Sequence, residues 1–446
     1  MMKLALKRSY LVLFGMLFSF GLSNVTAQDT LRIEEAIQKG LEKNFAIRIA
    51  KNVAQIAKNN NSLGNAGLLP VVTADGTISK RIEDNETQYS ANSIPDRNDK
   101  GVETTSYNYG IDATWTIFDG LTMFATKDRL NLEAEIGEEQ TRLEIENLLA
   151  ELINGYYQIV ARQKAHKILE NTVQVSEERI RIAETKKDLG SGSEYDLLQA
   201  RADFNADRAA LIRSGTTLKQ AKIIVNQILS NSSFENFDVE PAIEMGETMD
   251  LGDLTEQALV ENKSLSVARL NEMAASEEIN ELRGDWFPQV DVSGGYGYSK
   301  TETSTGFVDF SNTSGFNYGI TARINLFDGF NKNRRSQNAQ IRLKNQQLQL
   351  EELKLRLRSE IQQVYEQYID ALSLIELEQE NLQFTKQSLD IALERFRLGT
   401  INSVELREAQ LSLLNAENRL IIAQIEAKNA ETELLRLSGD LLRRVN

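Results

Sequence analysis

The chain has 446 residues, no cysteine, four prolines and a formal net charge of −15. The absence of cysteine excludes disulfides, thiolate metal sites and a lipid-anchored N-terminal cysteine, and the acidic balance argues against nucleic acid as a partner. Proline normally makes up about 5% of a protein and interrupts helices, so its scarcity favours very long helices.

The N-terminus has the pattern of a secretory signal peptide, which we predict over residues 1–27. Lys3, Lys7 and Arg8 form a basic start, and residues 10–22 are mostly apolar. This apolar run of about 13 residues is too short for a membrane-spanning helix, which needs about 20. No later apolar run approaches that length, so we predict an exported chain without a transmembrane helix.

The remaining sequence contains an internal duplication. Three positions recur 218 residues later: Asn44, Pro70 and Gly76 as Asn262, Pro288 and Gly294. From residue 107 onwards the offset is 209, and we predict a longer surface loop over 83–104, which is rich in Asn, Asp and Ser. The duplication predicts a first structural repeat over 28–230, an irregular equatorial linker over 231–253, a second repeat over 254–440 and a short tail over 441–446.

Each repeat begins with a short helix and a β-hairpin. The predicted helices run roughly over 44–63 and 262–283, and the hairpins over about 70–118 and 288–327. Apolar and polar residues alternate strictly from Tyr107 to Ile117 and again from Phe316 to Leu326. A period of two predicts strands with one apolar and one polar face, here about ten residues long.

After each hairpin the apolar period lengthens to three or four residues, as at Ile145, Leu148 and Leu152. Long helices are predicted over 121–188 and 330–397, and returning helices over 193–230 and 402–437. At 1.5 Å per residue, each long helix is a rod of about 100 Å. Aspartate suits a helix N-cap, so the predicted strand-to-helix caps are Asp119, Gly120, Asp328 and Gly329.

Four strands per chain cannot close a barrel in lipid. An open sheet edge leaves peptide groups unpaired at a cost of several kcal/mol each, and closed outer-membrane barrels begin at about eight strands. Three chains would pool twelve strands, and a barrel of that size has an open lumen. Four polar side chains would face this lumen: Asp112, Thr114, Arg323 and Asn325. Four aromatic side chains lie near strand ends, where a girdle is expected: Trp115, Phe118, Trp286 and Phe327.

The duplicated order of hairpin, Phe118-Asp119-Gly120 or Phe327-Asp328-Gly329, long helix, Leu-Gly turn and returning helix resembles the TolC family of outer-membrane efflux proteins. The resemblance covers residues 31–440. It implies a mixed, mainly α fold, in which a trimeric twelve-stranded β-barrel continues into a periplasmic α-helical tube. It also implies a homotrimer in outer-membrane lipid that docks to a periplasmic adaptor (membrane fusion) protein and serves an inner-membrane RND or ABC transporter in efflux or type I secretion.

The two turns between long and returning helices are candidate adaptor-docking tips. Gly190 and Gly399 permit the left-handed backbone that ends a helix, and Ser193 can cap the next one. Ordinary helix hairpins would explain these features, but not the apolar residues beside exposed tips; by similarity to the family, the tips meet the adaptor. The candidate residues are Leu189, Gly190, Ser193, Tyr195, Leu398, Gly399, Ser403 and Val404.

Glu405 and Glu408 lie three residues apart and therefore on one helix face. By similarity, the matching family positions are acidic and ring the periplasmic mouth, with Asp196 nearby, and such a ring would attract cations. The alternative is a solvated charged face, which is common in a chain with 65 acidic residues. The polar links that hold the family's mouth shut cannot be carried over, because Phe396 and Ile401 occupy those positions.

No motif in the sequence supports catalysis. His166 is the only histidine, and it has no second histidine or cysteine with which to form a zinc or nucleophile site. We therefore expect a non-enzymatic protein without a cofactor or metal. The main alternative is a structural coiled-coil or adhesin stalk, although a stalk would not need two hairpins with this alternation. Drugs, metal ions, peptides and proteins are all compatible cargoes.

Overall fold

The computed structural model describes residues 30–90, 93–234, 236–246, 248–306 and 308–445. The predicted signal peptide, residues 1–27, lies outside them. The first repeat contains β1 (Thr30–Leu31), α1 (Ile33–Lys43), α2 (Phe45–Asn60), β2 (Val71–Thr87), β3 (Arg97–Phe118), α3 (Thr122–Asp188) and α4 (Glu194–Ile228). The second contains β4 (Asp238–Val239), α5 (Leu251–Glu261), α6 (Lys263–Gly284), β5 (Gln289–Thr303), β6 (Phe310–Arg323), α7 (Asn331–Arg397) and α8 (Ser403–Ser438), followed by α9 (Leu441–Val445).

Two helices, and not one, begin each repeat, and a buried asparagine separates them. The Asn44 Oδ1 atom accepts hydrogen bonds from the backbone N–H groups of Ala46 and Ile47 at 2.8 and 3.2 Å, which caps α2. Its Nδ2 atom donates to the carbonyl of Ile228 at 2.9 Å. Asn262 repeats this arrangement by capping α6 and donating to the carbonyl of Leu437. The recurring asparagine therefore fixes the start of each repeat to the end of its returning helix.

The long strands form one antiparallel sheet in the order β2-β3-β5-β6. The two hairpins join through β3 and β5, with Gly110 opposite Gly297.

The strands contain 14 to 22 residues, so the prediction of about ten was too short. The prediction of a surface loop over 83–104 was wrong, because β2 continues to Thr87 and β3 begins at Arg97. A hairpin with water on both faces has no apolar alternation, yet its backbone groups still pair across the strands.

The helices pack in the order α4-α3-α8-α7, so that α3 and α8 join the two repeats. Helices α2 and α6 lie against the first parts of α3 and α7, and α6 contacts both long helices. Two related cores lie where the short helices meet the long ones, around Leu149 and Leu152 in the first repeat and around Ile361 and Leu434 in the second. A third, around Leu389, Phe396 and Leu406, lies near the helix tips.

Helices α3 and α7 each contain 67 residues, which corresponds to about 100 Å of helix. In the described ranges, no helix is long and apolar enough to cross a membrane.

Candidate functional site

The corners between strand and long helix are capped by aspartate. The Asp119 carboxylate accepts a hydrogen bond from the N–H of Met123, and that of Asp328 from the N–H of Lys332, both at 2.9 Å. Each aspartate lies three residues before the helix, and not directly before it, because two left-handed residues intervene. These are Gly120 and Leu121 in the first corner (φ +74° and +72°) and Gly329 and Phe330 in the second (φ +68° and +65°).

The two corners differ in what packs against them. A Cβ atom on Gly120 would lie 2.4 Å from the carbonyl oxygen of Gly284 at the end of α6. A Cβ atom on Gly329 would have no neighbour closer than 3.8 Å, and that neighbour is the side chain of Asn331. The end of a short helix therefore covers the first corner, while the equivalent position at the second corner is open.

The sheet has two open edges. Within the described part of the chain, β2 and β6 each pair with a neighbouring strand on one side only. The apolar residues Phe316, Tyr318 and Ile320 of β6 are highly exposed, Tyr318 by 92%. Because unpaired edges of this length recruit further strands or aggregate, the single chain presents an unfinished surface.

Helix α7 carries two exposed apolar stripes. Its residues Ile341, Leu348, Leu355 and, further on, Leu377, Phe384 and Ile391 recur at intervals of seven and are exposed. The repeat-related positions on α3 are all buried or partly buried: Leu132, Glu139, Glu146, Ile168, Val175 and Ile182. Leu355 is 70% exposed, whereas its counterpart Glu146 is 1% exposed. Burial raises the pKa of Glu146 to about 7, although the positive charges of Lys263 and Arg436 act in the opposite direction.

Helix α2 shows the complementary pattern. Phe45, Ile49, Val53 and Ile56 are exposed apolar residues. Their repeat-related positions on α6 are partly buried: Lys263, Val267, Asn271 and Ala274. In this chain α6 packs against both long helices, α3 and α7, whereas α2 packs mainly against α3. One face of α2 and one face of α7 are thus both apolar and uncovered.

The helix tips place most of the predicted docking residues at the surface. Leu189 and Leu398 are each 77% exposed, and Tyr195 and Val404 are also exposed. Gly190 and Gly399 have φ values of +73° and +77°. The Ser193 hydroxyl caps α4 by accepting a hydrogen bond from the N–H of Asp196 at 3.1 Å.

The assignment of Ser403 to the docking surface was wrong, because its side chain is 2% exposed. Its hydroxyl accepts hydrogen bonds from Nε and Nη2 of Arg179 at 3.0 and 2.7 Å. Sequence reasoning missed Arg179 because it lies 224 residues away, and one arginine on a charged helix has no distinguishing pattern.

A groove of about 850 Å³ lies between the two tips. On its floor the ammonium group of Lys186 lies 4.0 Å from the ring centre of Phe396 and donates to the Phe396 carbonyl. Burial lowers the pKa of Lys186, against the opposing effect of the Asp196 charge. The neighbouring Arg397 forms an ion pair with Glu178 of α3 at 3.2 Å. Phe396 is therefore a core residue, and Arg397 joins the two tips.

The predicted acidic residues lie at the same end of the molecule. Glu405 forms a capping box with Asn402 at the start of α8, and both Glu405 and Glu408 are exposed. Asp196 accepts a hydrogen bond from the Ser193 hydroxyl at 2.7 Å. Within the described residues, no group of three or more acidic or histidine side chains is arranged to hold a metal ion.

Both repeats match a known protein family. The outer membrane efflux protein model matches residues 36–231 and 254–440. Protein CyaE of Bordetella pertussis is 23% identical over 335 residues, covering 74% of this chain and 70% of CyaE. The outer membrane efflux protein BepC of Brucella suis is 19% identical over 407 residues, covering 91% of this chain and 83% of BepC. The CmeC outer membrane channel of Campylobacter jejuni shares the fold, with a TM-score of 0.76 at 15% identity, over 92% of this chain and 85% of CmeC.

Proposed function

Because this chain belongs to the outer membrane efflux protein family, we propose that three copies of it form one exit duct through the outer membrane. The protein is the outer-membrane channel component of an efflux or type I secretion system. The observation that carries the trimer is the unfinished surface of the single chain, with two open sheet edges and uncovered apolar faces on α2 and α7.

The internal repeat predicts how the sheets of neighbouring copies pair with one another. Strand β3 pairs with β5 inside the chain, and β6 and β2 are the repeat-related strands. The same pairing between copies places β6 beside β2 of the next copy. The intrachain pair Ile111–Tyr296 then corresponds to Ile320 opposite Ile78 of the next copy. Both isoleucines are exposed in the single chain, so the pairing brings the apolar faces of the two edges into line.

The same repeat relation between neighbouring copies would cover the exposed apolar faces of α2 and α7. In the chain, Glu146 of α3 lies close enough to Lys263 of α6 for their charges to interact. The repeat-related pair is Leu355 with Phe45 of the next copy, both of which are exposed in the single chain. Apolar burial at about 25 cal/mol per Å² favours this contact. Two copies would give eight strands and a filled barrel, whereas three give twelve strands and an open lumen.

Paired cysteines test this strand register, since the chain has no cysteine of its own. Under mild oxidation, Ile78→Cys with Ile320→Cys is expected to form disulfides between copies, giving dimer and trimer bands on a non-reducing gel. Ile78→Cys with Ala322→Cys, displaced by two residues, is the matched control and should cross-link weakly, because a disulfide requires Cβ atoms about 4 Å apart.

Equal yields from the matched and displaced pairs would contradict the register. A ladder that ends at the dimer would contradict the twelve-stranded barrel.

We further propose that the tips dock to a periplasmic adaptor protein of an inner-membrane RND or ABC transporter. The exposed Leu189, Tyr195, Leu398 and Val404 around the tip groove support this contact, since apolar side chains exposed together are typical of interaction sites. The duct carries out no catalytic step and needs no cofactor. Its substrates move from the adaptor and pump through the tube to the cell exterior.

Glu405 and Glu408 are proposed to ring the periplasmic mouth, with Asp196 beside them. Six carboxylates around one axis attract divalent cations, so Glu405→Gln with Glu408→Gln is expected to weaken the block of single-channel current by divalent cations in planar bilayers. Glu376→Gln with Glu380→Gln removes the same charge from exposed positions of α7 and should leave the block unchanged. Unaltered block in the first variant would rule out the ring.

A further inference from the structure

We infer that a buried ionic cluster clamps the two helix hairpins of one subunit, α3–α4 and α7–α8, into a single body, and that the periplasmic mouth widens at the joints between subunits. This inference rests on the proposed assembly of three copies. The cluster, called the clamp cluster below, consists of seven residues: Ser176, Arg179, Asp203, Asp207, Ser403, Arg407 and Gln410.

The first half of the clamp cluster is centred on Arg179 of α3, whose side chain is 1% exposed. Its Nη1 atom lies 2.8 Å from Oδ2 of Asp203 on α4. Its Nε and Nη2 atoms donate to the hydroxyl of Ser403 on α8. One arginine thus connects both helices of the first hairpin to the second hairpin.

The second half is centred on Asp207 of α4. Arg407 of α8 contacts this carboxylate with both terminal nitrogens, at 2.7 and 2.8 Å, which is the strong bidentate form of the ion pair. The Ser176 hydroxyl of α3 donates to Asp207 and accepts from the Gln410 amide of α8 at 2.8 Å. Separating α8 from the first hairpin would break the ion pair between Asp207 and Arg407 and would remove the Ser403 hydroxyl from Arg179, which keeps only Asp203. Loss of a partner from a largely buried charge is strongly unfavourable.

The joint between subunits lacks the clamp cluster. At the repeat-related positions, Ser388 replaces Arg179, Ser412 replaces Asp203, Ala416 replaces Asp207 and Leu198 replaces Arg407. Thr385, Glu194 and Arg201 occupy the positions equivalent to Ser176, Ser403 and Gln410, and Leu198 on α4 and Phe384 on α7 are exposed in the single chain. The joint between copies therefore lacks the equivalents of both ion pairs, because no pair of opposite charges occupies the positions equivalent to those pairs.

The contact between α3 and α6 shows the same contrast between the joint within a subunit and the joint between subunits. Arg129 of α3 and Glu281 of α6 form an ion pair at 2.8 Å. Their repeat-related positions are occupied by Asn338 and Leu63, and neither of these residues is charged.

The two kinds of joint therefore respond differently to strain. A bidentate ion pair depends on distance and direction, and any shift of one helix along the other breaks several hydrogen bonds together. Apolar contacts have no directional bonds, and packed helices can slide against one another over small distances. Dilation of the tube by an adaptor would be taken up at the three joints between subunits, which lack these ion pairs, and each subunit would move as one piece.

Linking matched cysteine pairs tests where the mouth opens. Ser176→Cys with Gln410→Cys spans the joint within a subunit, and the repeat-related Thr385→Cys with Arg201→Cys spans the joint between subunits. Each purified trimer is treated with a short bis-methanethiosulfonate linker, and single-channel currents are recorded in planar bilayers before and after reduction. The linker within the subunit should leave the open fraction within about two-fold of the untreated channel, while the linker between subunits should lower it about ten-fold until reduction.

The inference is overturned if the linker within the subunit suppresses opening as strongly as the other, or if the linker between subunits has no effect. Two further cysteine pairs outside the clamp cluster are used if the variants within the cluster do not assemble. Lys164→Cys with Gln424→Cys joins α3 and α8 outside the cluster, where the native side chains are 3.3 Å apart. Its repeat-related pair, Ser373→Cys with Gly215→Cys, is the matched set between subunits. A wild-type protein that neither forms trimers nor conducts contradicts the proposed function itself.

Discussion

Replacing Gly120 by alanine is expected to destabilise the folded chain by on the order of 4 kcal/mol. The new methyl group would lie 2.4 Å from the carbonyl oxygen and 2.7 Å from the Cα atom of Gly284. Both of these atoms belong to the backbone at the end of α6, so neither can move as a flexible side chain would. The residue must also keep a φ of +74°, which costs a non-glycine residue roughly 1–2 kcal/mol.

The duplication provides the matched control, Gly329→Ala. It has the same left-handed backbone, with a φ of +68°, but open space around the added methyl group in the single chain. It should therefore show only the backbone cost of roughly 1–2 kcal/mol. The measurement is the midpoint temperature of the helical circular dichroism signal of the monomeric chain in detergent, because in the proposed trimer the segment around Ala66 of the next copy would lie against the Gly329 corner. Equal effects of the two substitutions would show that the contact between Gly120 and Gly284 does not determine the corner.

Replacing Asp207 by leucine is expected to cost about 3–5 kcal/mol per subunit, because it leaves the largely buried Arg407 without its bidentate partner. The Asp207 and Arg407 side chains are only 8% and 17% exposed. The double variant Asp207→Leu with Arg407→Leu should recover most of the loss, since an apolar pair of similar volume often replaces a buried ion pair at little cost. Thermal and denaturant unfolding of the two variants, compared with the parent chain, measures the recovery.

The control for this second prediction is Glu278→Leu, which removes the bidentate partner of Arg342. The Arg342 and Glu278 side chains are 50% and 35% exposed, and exposed pairs contribute only about 0–1 kcal/mol. A double variant as unstable as Asp207→Leu alone would show that packing around the leucines, and not the unpaired charge, causes the loss.

The sequence determined the local structure of this protein because local structure follows from periodicity and from the few residues that interrupt it. The change from period two to a period between three and four separates strand from helix near Asp119 and Asp328. Glycine at 190 and 399 lies where the backbone must turn left-handed. The start and end of α3, α4, α7 and α8 differ by at most two residues from the positions that this periodicity predicts. The repeat is equally visible, because equivalent positions keep equivalent residues.

The predictions of secondary structure were wrong where the side-chain pattern does not reflect the backbone structure. Residues 83–104 are polar and predicted a loop, yet most of them form a β-hairpin, since backbone pairing does not require an apolar face. The helices predicted to begin at Asn44 and Asn262 correspond to α2 and α6, but the helices α1 and α5 that precede them were missed. An asparagine becomes a cap only when its side chain turns back to the backbone, and here it also bonds a helix end 184 or 175 residues away.

Only the tertiary structure decided which faces are covered and which are open. Glu146 and Leu355 occupy equivalent positions in the two repeats, and the sequence alone suggests that the glutamate is exposed and the leucine buried. The structure has the reverse, because α6 covers α3, whereas the same face of α7 stays exposed among the residues that the structure describes. Ser403 was likewise buried by an arginine from the other repeat. The burial of a side chain depends on which distant segment packs against it. Hydrophobic periodicity in the sequence does not identify that segment.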